Sequence, residues 1–152
     1  MSKIEFRSTK TYAHNLGLSC AFRQWRAKSH CRFIHGYALQ VGFVFSATNL
    51  DEFNWVVDFG GLKPLKAFLE ETFDHKTLIA KDDPLLGEMR LMHKLGALDL
   101  VEVDAVGCEK FAEMIFNYAE GFLKIAFPHV RLESVEVREH AANSAIVRAI
   151  HE

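Results

Sequence analysis

The sequence predicts an α+β domain: an antiparallel four-stranded sheet with helices on one face. Three observations predict it. Segments near both ends alternate apolar and polar residues, the middle carries apolar residues at helical spacing, and no repeat or linker divides the 152 residues. With 49% hydrophobic and 25% charged residues, the chain has the make-up of one ordinary domain with its own core.

The elements follow in order. Segment 3–13 is expected as the first strand. Residues 37–47 form the second, with Tyr37, Leu39, Val41, Phe43 and Phe45 alternating with Ala38, Gln40, Gly42, Val44 and Ser46, and the pattern runs back to His35. A short strand over 55–59 leads through Gly60-Gly61 into a helix over 61–73, where Leu62, Leu65, Phe68, Leu69 and Phe73 share one side and Pro64 suits the first turn. A shorter helix is expected over 84–95, a strand over 98–103, and a third helix over 109–124 that buries Phe111, Ala112, Ile115, Phe116, Ala119, Phe122 and Leu123. Pro128 punctuates the chain before 130–140 and 144–150, a terminal strand pair joined at Ala142-Asn143.

Composition excludes several classes. Three cysteines, Cys20, Cys31 and Cys108, are too few and odd in number for a disulfide framework, which points to a reduced, cytoplasmic setting. The opening residues lack a signal-peptide core, and no run of about eighteen apolar residues could span a bilayer. Neither a membrane nor, at a net charge of −2, a nucleic acid is expected as partner. The charge is unevenly spread, however. Positions 6–50 hold no Asp or Glu but carry Arg7, Lys10, Arg23, Arg26, Lys28 and Arg32, which suits either a small polyanion such as a phosphorylated metabolite or a solvated basic loop balanced by acids elsewhere.

The densest polar cluster runs from Ser29 to Tyr37, where Cys31 precedes His35 by four residues. Singly, a cysteine is most often a small buried hydrophobe and a histidine at a strand start a hydrogen-bonded structural group. Arginines around them favour a reactive thiolate. His14, at the end of the first strand, meets His35 if the two strands pair antiparallel, giving half of a zinc site; otherwise both are separate surface histidines. In Asp74-His75 the carboxylate either orients a general base or simply accompanies a histidine at a helix C-terminus. Val135, Val137 and Glu139 share one strand face, which puts a carboxylate on the apolar side, suited to the amide-and-amine edge of a pterin or guanine ring or paired with Arg138 or Arg148. Glu109 most simply serves a helix dipole. Asp58-Phe59-Gly60 spells the kinase metal tripeptide without the rest of that machinery and is a strand end.

In order, Ala13-His14, Cys31-x-x-x-His35-Gly36-Tyr37, Val57-Asp58-Phe59, Asp74-His75, Gly107-Cys108-Glu109 and Val137-Arg138-Glu139-His140 resemble the motifs of the 6-pyruvoyl/6-carboxytetrahydropterin synthase family over nearly the whole chain. The gap between Cys31 and His35 looks like the bacterial carboxy branch, which serves queuosine and other deazaguanine pathways. The resemblance implies a tunnelling fold assembled into an oligomeric barrel, a tetramer or hexamer with sites at subunit interfaces. It implies a lyase acting on 7,8-dihydroneopterin triphosphate. His14, His35 and the position of Tyr37 match ligands of a zinc cofactor. Cys31 matches the proton-abstracting thiolate, Asp74 and His75 its relay partners, and Glu139 and Glu109 the pterin contacts. Arg23, Arg26, Lys28 and Arg32 are then the triphosphate candidates.

Three departures stand out. Tyr37 occupies the place of the third histidine ligand, to coordinate directly, hold a metal-bound water, or yield to a residue such as His30. Cys108 replaces a Thr or Ser, and His140 replaces a Thr. The residues between His75 and Glu109 are an insertion relative to the motif spacing.

Overall fold

The computed structural model describes residues 1–151. They form strands β1 (Phe6–Tyr12), β2 (Leu18–Phe22), β3 (His35–Ala47), β4 (Lys76–Ala80), β5 (Leu100–Val103), β6 (Arg131–His140) and β7 (Asn143–Arg148). Three α-helices accompany them: α1 (Lys63–Phe73), α2 (Leu86–Lys94) and α3 (Cys108–Ala126). The α+β class holds, but the expected four antiparallel strands are corrected to a mixed sheet of seven. Its order is β5-β4-β2-β3-β6-β7, with β1 also paired to β3. β4 runs parallel to both β2 and β5, while the remaining pairs are antiparallel. β2 and β4 have five residues each, too few for a periodic signal to separate a strand from a loop.

The expected strand at 55–59 is also corrected. The Asp51 carboxylate accepts the amides of Phe53 and Trp55, each at 2.9 Å, and folds the segment into a compact loop. Asp58 then caps the Gly60 amide at 2.9 Å and opens a 3₁₀ turn over Phe59–Leu62, so that α1 starts two residues later than expected.

β3 organises the sheet. Along one edge it pairs first with β2, through His35 to Leu39, and then with β1, through Val41 to Ala47; along the other it pairs with β6. Residues 13–17 loop out between β1 and β2, ending at Gly17, whose φ of 82° closes a short 3₁₀ turn over His14–Leu16. The alternation of β3 sends Leu39, Val41, Phe43 and Phe45 into the core, each 1% exposed or less. There they meet Leu65, Leu69 and Phe73 of α1 and Phe111, Ile115 and Leu123 of α3. Each such burial contributes about 1.5–3 kcal/mol of transfer free energy. The α1 and α3 helices lie together on this face, with Phe68 and Tyr118 stacked at 3.9 Å. α2 instead packs against β4 and β5. Leu78 and Ala80 of β4 join the main core; Ile79, pointing the other way, and Met89 of α2 are buried outside it. The helices therefore cover both faces, a correction forced by the parallel β4-α2-β5 crossover.

Candidate functional site

Part of the motif set, His35, Tyr37, Cys108, Glu139 and His140, lies together where the apolar face of the sheet ends, while Val57-Asp58-Phe59 lies apart, beside Phe6. In β2 and β3, Phe22 pairs with His35 and Cys20 with Tyr37, and partners in an antiparallel ladder share a face. His35 and Tyr37 thus continue the core row outward to a half-buried position. Their rings stand nearly perpendicular with centroids 5.4 Å apart. Phe22 lies 6.0 Å from His35 and 6.2 Å from Tyr37, and is wedged in turn against Phe111 of α3. On the far side, His140 of β6 lies 6.0 Å from Tyr37. Val137 pairs with Val41, so Glu139, two residues on, faces this same end of the sheet.

α3 completes the wall. Its first residue, Cys108, is buried, and burial with the neighbouring Glu139 carboxylate pushes the thiol up to about 12. Burial likewise pushes Cys20 up to about 12. Both therefore stay protonated and act as small packing groups at neutral pH. Tyr37 is also raised, first by burial and then by the Glu139 carboxylate, so its phenol keeps its proton. Glu109 sits in the first turn of α3, where a carboxylate suits the helix dipole.

The histidines have defined tautomers. His14, in the excursion between β1 and β2, donates its Nδ1–H to the Ala38 carbonyl, which leaves Nε2 with a lone pair that is buried and has no partner. His35 donates Nδ1–H to the Phe33 carbonyl at 2.7 Å and also presents Nε2. Two zinc-type nitrogens are present. A third is not, since no three His, Cys, Asp or Glu side chains among the described residues converge in a way that could hold a metal ion. The set therefore lacks the third nitrogen of the zinc site that the resemblance implies and leaves the protonated Tyr37 phenol in its place, and His30 does not restore it.

Cys31 lies exposed in a 3₁₀ turn over His30–Arg32, capped by Ser29 and flanked by exposed Phe33 and Ile34. Asp74 ends α1 and accepts the Nδ1–H of His75 at 2.5 Å. His75 is 85% exposed in its side chain and holds φ at 58°, a left-handed conformation uncommon for histidine. Its amide donates to the Ser19 carbonyl, one residue from Cys20, which docks the pair beside β2.

The basic candidates divide. Arg23 makes a two-pronged pair with Asp83, at 2.6 and 2.9 Å, and Arg26 pairs with Asp82 at 2.7 Å. Arg32 donates to the Lys28 and Ser29 carbonyls and stacks over Phe33. Of the four, only the Lys28 ammonium has no partner among the described residues. Sequence reasoning missed Asp82 and Asp83, which fasten the Cys31 loop to the turn after β4, and also Phe22 and Cys20, which form the site's floor. The Asp-Asp-Pro run was visible, but its partners lie about sixty positions away. A cavity of about 480 Å³ lies elsewhere, between Phe6 and the loop carrying Trp55 and Phe59.

A mixed sheet with helices on both faces, and with His35, Tyr37, Glu139 and Cys108 near one end of its apolar face, defines the class as a small α+β protein. The chain belongs to the 6-pyruvoyl tetrahydropterin synthase family, whose model matches residues 12–149. A curated 6-carboxy-5,6,7,8-tetrahydropterin synthase of Rickettsia bellii is 34% identical over 62 residues, a stretch covering 40% of this chain and 45% of that protein. An uncharacterised protein of Wolinella succinogenes shares the fold at a TM-score of 0.82 and 20% identity, covering 95% of this chain and 98% of the other. The 6-pyruvoyltetrahydropterin synthase of Plasmodium vivax does so at 0.69 and 15%, covering 95% and 98%.

Proposed function

We propose that the protein is a 6-carboxytetrahydropterin synthase-like lyase, converting 7,8-dihydroneopterin triphosphate to 6-carboxytetrahydropterin with release of triphosphate and acetaldehyde in deazaguanine synthesis. The observation that carries this reading is the convergence of Glu139, Tyr37 and His35 at the open end of one sheet face, next to Cys31 and inside a family-matching chain. In it, Glu139 accepts hydrogen bonds from the amide-and-amine edge of the pterin, and Phe22 and Tyr37 flank the ring. Cys31 takes a proton from the side-chain carbon next to the ring. His75, its Nδ1–H held by Asp74, presents Nε2 to receive or return a proton as triphosphate leaves. Lys28 is the free cation for the triphosphate. Several copies are expected to assemble with their sites at interfaces.

The test is incubation with dihydroneopterin triphosphate, with products separated by chromatography and acetaldehyde followed by a coupled dehydrogenase. Carboxylated pterin with matching acetaldehyde is the expected result. A pyruvoyl product without acetaldehyde would move the protein to the other branch. The missing third ligand favours one alternative, a pterin-binding protein without turnover, which binding in the absence of any product would establish.

A further inference from the structure

The site presents two lone pairs and one hydroxyl where a metal would need three donors. Ala38 and Phe33 take the Nδ1–H of His14 and His35, so both rings offer Nε2 as an acceptor, and His14 Nε2 is a buried atom with nothing to accept from. An unpaired buried nitrogen is unfavourable until a partner satisfies it, which marks the position as one a bound molecule completes. Beside His35 on its strand face stands Tyr37, with ring centroids 5.4 Å apart, and Ala38, whose carbonyl holds His14, is the next residue along; a neutral phenol has a proton to give. Two acceptors and a donor complement a pair of neighbouring hydroxyl groups.

We propose that this site holds the hydroxylated side chain of its pterin directly, with the Tyr37 hydroxyl as the electrophile in place of a metal ion. The inference rests on the functional reading above for the identity of the ligand. His14 Nε2 and His35 Nε2 accept from the side-chain hydroxyls, and Tyr37 donates to the oxygen on the carbon that is deprotonated. When that C–H bond breaks, its proton passes to the Cys31 thiolate and its electron pair forms a C=C bond to the ring carbon. The displaced π pair of the ring's C=N bond goes to the ring nitrogen, which takes a proton from solvent. Tyr37 keeps its proton throughout, and the step is an internal isomerisation in which the ring gains the electron pair that the side-chain carbon gives up, so no outside oxidant or reductant is needed. Such a preorganised donor accounts for rate factors of about 10²–10³.

Three readouts test this on the full-length protein. The first is metal content after expression with added zinc: the protein should carry far less than one equivalent and lose no turnover to chelator, whereas Tyr37→His should gain about one zinc per subunit. The second is binding, followed by ligand fluorescence: dihydroneopterin should bind about tenfold more tightly than 6-methyldihydropterin, and Tyr37→Phe should erase that preference. The third is turnover, which Tyr37→Phe should lower about 10²-fold at little change in KM. A stoichiometric metal whose removal abolishes turnover, or a Tyr37→Phe protein with intact preference and rate, would overturn the proposal. If no pterin is turned over, the lyase reading falls by itself, and metal content and hydroxyl preference still decide the role of Tyr37.

Discussion

His75 combines exposure, a carboxylate-fixed ring and a left-handed backbone. Left-handed conformation costs a non-glycine residue on the order of 1 kcal/mol, and such strain persists where the surroundings impose it, often at functional sites. Replacing His75 by Gly should therefore leave the melting temperature unchanged or slightly higher while lowering turnover at least about 10²-fold, as loss of a proton-transfer group does. Calorimetry and a rate assay on one preparation check both halves. A buried group behaves oppositely. The Asp83 side chain is 0% exposed, and burial works to raise its pKa, yet the Arg23 pair and the Leu85 amide outweigh burial and hold it below the usual carboxylate value of 3.8. A depressed folded-state pKa means that this contribution is complete above the unfolded value and is lost as pH falls through the folded one. Arg23→Ala, which strands the buried carboxylate, should cost about 3 kcal/mol at neutral pH. Urea midpoints measured from about pH 6 down to pH 2 should show that deficit shrinking as Asp83 is protonated.

Elements differ in how much of themselves the sequence discloses. β3 and α3 are long and regularly patterned, so most of their buried rows could be named in advance, with Tyr37 and Phe122 only partly buried; β2 and β4 are five-residue pieces whose pairing is decided by distant partners. No period in a single chain says that β4 lies parallel to β2. The loop after Asp51 deceived for a different reason: its Trp-Val-Val run has strand composition, but one carboxylate claims two of its amides. Gly36 tests the β2–β3 contact that aligns the site. A Cβ there would stand 2.4 Å from the Cys20 carbonyl oxygen, whereas at Gly42, on the same strand, the nearest atom would be 3.9 Å away. Gly36→Ala should destabilise by about 1–3 kcal/mol and impair ligand binding, while Gly42→Ala should be close to neutral, a contrast that thermal shifts read directly.

At the scale of the whole molecule, the order of motifs disclosed the family, and periodicity disclosed which residues face the interior. What neither disclosed is how the polar pieces are fastened: that Arg23 and Arg26 hold Asp83 and Asp82, or that Cys20 underlies Tyr37. Such contacts join positions far apart in sequence with no signal of their own. The sheet also ends in β7, an outer strand with Ile146 61% exposed, the kind of edge that proteins either cover or disguise. If the proposed assembly uses this edge, light scattering should give a mass several times 17.3 kDa, and Ile146→Lys should reduce it. A monomer at all concentrations would refute the assembly. β3, finally, is bonded on both edges from Val41 to Ser46, whereas His35 to Leu39 are held by β2 alone, so the two halves of one strand are clamped differently. Deuterium should therefore enter the centre of β3 last and reach the backbone beneath His35 and Tyr37 earlier, which makes that end the part of the strand free to adjust in the local openings that let ligands in and out.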